Sequence, residues 1–415
     1  MKLAPDEQAM LRGDHGRSVA MAMRILVAAA KVESAEQFVP IASAHIDGCL
    51  YHGPSSLDFV RALSGDGVQV AVPTTLNVGG IDLASPDIFI GPAGEGAAAK
   101  ELMDAYVALG CLPTFTCAPY QLPGRPIRGS DVAWAESNAI VFGNSVIGLR
   151  TNRYGDLIDI CAALTGRVPL SGLHLPANRL GRAHFAPSTE VIDRVDPDLL
   201  PSLLGQHVGR RTGNDVPVMS ELGEVEIDED WLKNFGAAAA SSGSVAMFHV
   251  VHVTPEAPDL ATAFGNHPVP DPIIITIQDM DRAMDELTTA SVTSRLGGVS
   301  VGTPHLSRNQ LRSLVTLLGG RKVTVPTYAT TSRSVLASEP ECEIALREAG
   351  VVVVRDTCTY GQSAIMSPDG TVLTNSAKWA YYAPANLGFS VVLASIQDCV
   401  ESAVAGEIRI RRSVD

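Results

Sequence analysis

Apolar residues recur along this chain with two periods. Between Pro5 and Lys31 they return every three or four positions, at Val19, Met23, Leu26 and Ala30, the spacing of one helix face. Elsewhere they gather in short runs: Val68 to Val72, Ser244 to Val253, Ile273 to Ile277, Lys322 to Pro326, Val351 to Val354 and Phe389 to Leu393. Such runs, rich in β-branched residues, predict strands buried on both faces. Helical patterns separate them: Glu101 to Ala108, Asp156 to Thr165 stopped by Gly166, from Asp279 onward, from a Ser307 cap to Leu318, and around Cys399. Buried strands alternating with helices predict an α/β fold with mainly parallel sheets. The chain shows no repeat of solenoid length and no low-complexity tract.

The stretch from Cys111 to Arg153 departs from this pattern, because polar side chains crowd into it. The spacing predicts a helix from Asp131 through Gly148, on which Trp134, Ser137, Asn138 and Ser145 fall near one face. A polar stripe that competes with Ile140, Val141 and Val146 for the buried side predicts the wall of a cavity. From Arg167 to Val195 the chain is looser, and a subdomain boundary or insertion is expected near 170–225. The expected division is into subdomains over 1–165, 166–290 and 291–415.

Composition narrows the function classes. A chain of 415 residues fits two or three packed units. A formal charge of −14 argues against nucleic acid as the main partner, since phosphate binding needs a basic surface. The longest apolar stretch, Phe235 to Val253, is interrupted by Ser241, Ser242, Gly243, His249 and His252, so no membrane span is expected. No export signal is visible, and a cytoplasmic location is expected. Seven cysteines without a CxxC pair then read as buried thiols or metal ligands.

Candidate chemistry falls at strand ends, where α/β proteins keep their sites. His45, Asp47, Cys49 and His52 crowd one such loop, and Thr74, Thr75 and Asn77 follow in a second. Cys117 and Cys358 sit in polar loops after apolar runs, unlike Cys161, Cys342 and Cys399, which lie within helical patterns. Glu136, Ser137, Asn138, Arg150, Asn152 and Arg153 form the substrate-side group, and either arginine suits a carboxylate. His305 is a candidate contact to substrate, and Lys378 a candidate to neutralise a carboxylate or phosphate; a surface lysine is its plain alternative.

Eight ordered motifs carry a family resemblance: AHIDGCLYHG, VPTTLN, TFTCAPY, AWAESNAIVFGNSVIGLRTNR, TPEAP, GTPHLS, DTC and NSAKWAYYAP. Over nearly the whole chain this resembles the catalytic large component of aconitase X, a branch of the aconitase superfamily. The resemblance implies three α/β/α subdomains around a central cleft that holds an iron–sulfur cluster. It implies a hydro-lyase acting on a small hydroxy acid, cis-3-hydroxy-L-proline before mevalonate 5-phosphate; the contrasting expectation is a cluster-less binding protein. By position it makes Cys117 and Cys358 cluster ligands, while His45, Ser137 and Lys378 are the expected catalytic groups. Thr303 stands where the cluster-binding archaeal pattern carries Cys. That leaves the type open between [2Fe-2S], [3Fe-4S] or [4Fe-4S], a third ligand such as Cys49, or a single metal ion. The family also needs a small swivelling domain, which these motifs do not include, so a separate small subunit is the expected partner.

Overall fold

A computed structural model describes residues 1–360 and 365–411. The first part of the chain contributes β1 (Phe38–Pro40), β2 (Ala44–Ile46), β3 (Thr74–Leu76), β4 (Ala133–Trp134) and β5 (Arg167–Pro169). Three of these form a parallel sheet in the order β3-β2-β4, while β1 and β5 pair antiparallel beside it. The middle part contributes β6 (Ala183–Pro187), β7 (Pro217–Met219), β8 (His249–Val250) and β9 (Ile273–Ile275), parallel throughout in the order β8-β7-β6-β9. The last part adds β10 (Leu296–Leu306), β11 (Thr327–Thr331), β12 (Val352–Val354), β13 (Thr371–Thr374) and β14 (Val391–Leu393). They too are parallel, in the order β12-β11-β10-β13-β14. Helices cover these sheets, which gives the expected α/β architecture with parallel sheets.

Several elements differ from the sequence expectation for identifiable reasons. The runs Val68 to Val72 and Lys322 to Pro326 are not strands. Their backbone amides bond to helix ends: Val70 to the Leu109 carbonyl, Ala71 to Ala163, Val323 to Ala349 and Thr324 to Ala403. Pairing starts only past Pro73 and Pro326, at Thr74 and Thr327, because proline has no amide hydrogen to give a ladder. Asp131 to Gly148 is not one helix. It runs as β4, then the helix Ser137–Phe142, then a wider π turn over Gly143–Ile147. Glu136 sets the break, since its carboxylate caps the helix by accepting the Ala139 amide at 2.7 Å. The segment Pro5 to Lys31 is two helices, Pro5–Arg12 and Arg17–Val32, parted where Gly13 and Gly16 take positive φ.

The stretch read as loose around 170–225 contains β6, β7 and the helix Leu200–Thr212. Its glycines belong to close packing. A Cβ at Gly205 would sit 2.3 Å from the Phe235 carbonyl of the facing helix Glu229–Gly243. Of the predicted strand Ser244 to Val253, only His249–Val250 pairs. Among the described residues no helix is long and apolar enough to cross a membrane.

Candidate active site

Parallel strands end their ladders on one edge of a sheet, and the chain leaves that edge in loops free to carry polar groups. Asp47 follows β2, Asn77 follows β3 and Glu136 follows β4, so three chain-distant residues reach the same edge. They line a cavity of about 610 Å³ together with Ser137, Arg153, Asp156, Tyr360 and Lys378. Lys378 comes from the start of the helix Ala377–Leu387, after β13 of the third sheet. The cavity therefore lies between the first and third parts of the chain.

Its charged centre is a buried ion pair. Lys378 Nζ donates to Glu136 Oε1 and lies 3.1 Å from Ser137 Oγ. Burial opposes the charge on both partners. It is outweighed by their attraction, which holds the lysine well above its ordinary pKa and the glutamate below its own. Lys378 is therefore an ammonium. Asp47 behaves oppositely: burial, then the nearby Glu136 and Asp156, push its carboxyl up to about 7. Asn77 Nδ2 donates to Asp47 Oδ1, and the Asp159 carboxylate accepts the Asp47 amide at 2.7 Å.

Behind Val78 and Tyr360, on the cavity wall, lie Cys117 and Cys358. With His305 they form a buried group whose candidate ligand atoms all lie within 4.8 Å of one another. The His305 amide donates to Cys117 Sγ at 3.2 Å. A hydrogen bond with Cys117, and then burial, push the Cys358 thiol well up. Burial pushes His305 down to about 4, so it is a neutral imidazole at pH 7; its Nδ1 meets Thr116 Oγ1 at 3.0 Å, and Nε2 makes no hydrogen bond. Two thiols and a neutral imidazole are suitable donors for iron or an iron–sulfur group.

Over 413 residues the chain is 40% identical to the cis-3-hydroxy-L-proline dehydratase of Hypocrea jecorina, covering 98% of this chain and 69% of that protein. Family models for the first, second and third domains of aconitase X match residues 1–177, 188–285 and 296–405. The chain belongs to the aconitase X family. Identity is 41% to the cis-3-hydroxy-L-proline dehydratase of Pseudomonas aeruginosa, covering 96% of this chain and 69% of that one. The phosphomevalonate dehydratase large subunit of Methanosarcina mazei is 35% identical, with 99% and 98% covered. The crystal structure of Thermococcus kodakaraensis aconitase X in its holo-form superposes with a TM-score of 0.83 at 29% identity, covering 97% of this chain and 100% of that one. These relatives make the enzyme class a dehydratase, a hydro-lyase.

In this aconitase X chain the residues singled out from sequence fall into separate groups. His52, Asn77, Glu136, Ser137, Arg153 and Lys378 line the cavity. His45 does not: it is a fully buried residue of β2, pushed down to about 4 by burial, with Nδ1 held 2.8 Å from Thr75 Oγ1. Thr74 bonds locally to the Val72 carbonyl. Asn138 supports the Cys117 loop, donating to the Cys117 carbonyl at 3.2 Å and to Tyr120 at 2.6 Å. Asn152 ties Ser171 and Leu173 in place, and Arg150 is half-buried away from the cavity lining. Thr303 is buried with an unbonded Oγ1, while His305 joins the two cysteines. Cys49 is elsewhere, its thiol bonded to the Asn77 carbonyl at 2.9 Å. Sequence reasoning passed over Asp156, Tyr360, Tyr382 and Asn386, and named Asp47 in its crowded loop without giving it a role. For Asp47 a signal existed, its place directly after a strand in AHIDG.

Proposed function

We propose that this chain is the large component of a dehydratase acting on cis-3-hydroxy-L-proline, working with a separate small subunit. The observation that carries the substrate is the identity of 40% and 41% to two cis-3-hydroxy-L-proline dehydratases, against 35% to a phosphomevalonate dehydratase large subunit. The small subunit is supported by the match to a protein named as a large subunit over 98% of that protein's length.

Cys117, Cys358 and His305 are the residues that would hold an iron–sulfur group or a single iron. When bound, it supplies a Lewis acid for the departing hydroxyl. Elimination also takes the proton from the ring carbon that bears the carboxylate. Arg153 lines the cavity without an ion-pair partner among the described residues, and its fork suits that carboxylate. Lys378, kept protonated by Glu136, cannot serve as the base. Instead its ammonium, beside Ser137, stabilises the negative charge that grows on the carboxylate as the proton leaves. The base comes from the small subunit.

The test is turnover by anaerobically prepared chain and small subunit, with cis-3-hydroxy-L-proline and mevalonate 5-phosphate offered separately. Dehydration of the former is expected. Dehydration of the latter alone overturns the substrate, and dehydration of neither favours a binding protein.

A further inference from the structure

Once the Glu136–Lys378 pair is set aside as mutually neutral, the cavity keeps one cation, Arg153, and two carboxyl groups, Asp47 and Asp156. Neither Arg153 nor Asp156 makes a salt bridge among the described residues, although they are close in sequence and line the same space. Both are exposed, so water meets their charge and little is gained by pairing them with each other. Here they stay apart. Arg153 is open to solvent at the wall but loses part of its hydration there, which lowers its pKa.

A second observation points to what Asp47 faces. Asn77 is 5% exposed, lines the cavity, and has an Oδ1 with no hydrogen-bond partner. An ionised carboxylate only accepts, so the amide turns its Nδ2 to Asp47 and keeps Oδ1 as an acceptor. Asn77 Oδ1 is itself closed off from the cavity, so the part the amide plays is to hold the Asp47 carboxylate in place. A secondary ammonium in a ring carries two N–H donors and one positive charge.

We infer that Asp47, held in place by Asn77 and with Asp156 nearby, receives the cationic ring nitrogen of the substrate while Arg153 takes its carboxylate. This rests on the amino-acid substrate proposed above and deepens it: the cavity selects a zwitterion. Crowded carboxylates are relieved by a cation and aggravated by a phosphate dianion, so the same groups reject a phosphorylated acid.

The experiment is calorimetric binding to the purified chain of L-proline and of tetrahydrofuran-2-carboxylate, which has the same ring and carboxylate but no nitrogen charge. L-proline is expected to bind about tenfold or more tighter, the scale of one hydrogen bond to a charged group. Asp47→Asn should abolish that preference, and Asp156→Asn, at an exposed side chain, should reduce it without a folding risk. Equal binding of the two ligands by the unaltered chain, no binding of either, or a preference kept in both variants overturns the inference. Preference for L-proline without turnover of cis-3-hydroxy-L-proline would instead overturn the proposed reaction and leave the zwitterion site standing.

Discussion

Asp82 and Asp356 exchange backbone hydrogen bonds across the join between the first and third parts of the chain. Asp82 accepts the Arg355 amide at 2.9 Å, and Asp356 accepts the Leu83 amide at 3.2 Å. Asp356 is fully buried and also grips the Arg333 guanidinium. It stands two residues before Cys358, so this exchange fixes where that thiol meets Cys117. Asp356→Asn keeps the shape and loses the charge. Because the Arg333 side chain is 40% exposed, water covers part of the loss, and destabilisation of about 2 kcal/mol is expected in urea unfolding. A change below about 0.5 kcal/mol, the scatter of surface substitutions, would show that the join is held elsewhere.

The Glu136–Lys378 pair separates stability from activity. Lys378→Met leaves a buried glutamate uncompensated, at a cost of about 3 kcal/mol, and lowers turnover by at least about 100-fold. Adding Glu136→Gln should recover most of the stability and none of the turnover. Near-normal turnover in Lys378→Met would remove the lysine from the chemistry.

Asp47 ties stability to pH. Its carboxyl is raised from 3.8 to about 7 in the fold, so the native state holds that proton more tightly than the unfolded chain. The resulting contribution is complete below about pH 4 and disappears as pH rises through about 7. Replacing it with asparagine should therefore stabilise the protein at pH 8 by a few kcal/mol at most, with little gain at pH 4. Thermal melts of both proteins across that range check it, and a gap that does not widen with pH would contradict it.

Iron content discriminates among the cysteines. Anaerobic reconstitution of Cys117→Ser, Cys358→Ser or His305→Ala should leave less than about a tenth of the normal iron, since each removes a donor. Cys49→Ser should load normally, because that thiol is committed to carbonyls away from the group. Iron retained in His305→Ala would shift the third donor to another residue, with Thr303 Oγ1 the nearest alternative in sequence.

Much of this fold was readable where one physical signal dominated. β12 and β14 lie within their β-branched runs, and the helix Arg308–Leu318 starts at its Ser307 cap, whose Oγ accepts the Gln310 amide at 3.2 Å. The reading failed where burial and pairing part company. Val70 and Val323 are apolar and half-buried, yet they bond to helix ends and never enter a ladder. The site was half legible for a similar reason. Cys117, Cys358 and Lys378 stand out by context, whereas the raised carboxyl of Asp47 arises from its burial and its nearness to Glu136 and Asp156, which only the tertiary fold creates. Asn138 and Asn152 look like ligand contacts in sequence but are spent on backbone carbonyls.

The Cys117, His305 and Cys358 group also bears on the order of assembly. Cys117 belongs to the first part of the chain, and His305 and Cys358 to the last, with contacts such as His305 to Cys117 spanning 188 positions. Contacts so distant in sequence close late, after the local sheets have formed. An iron held by these three residues would then be captured only by a chain whose two ends have already docked, and would act as a seal on correct assembly. A nascent or half-folded molecule would offer single thiols too far apart to retain it.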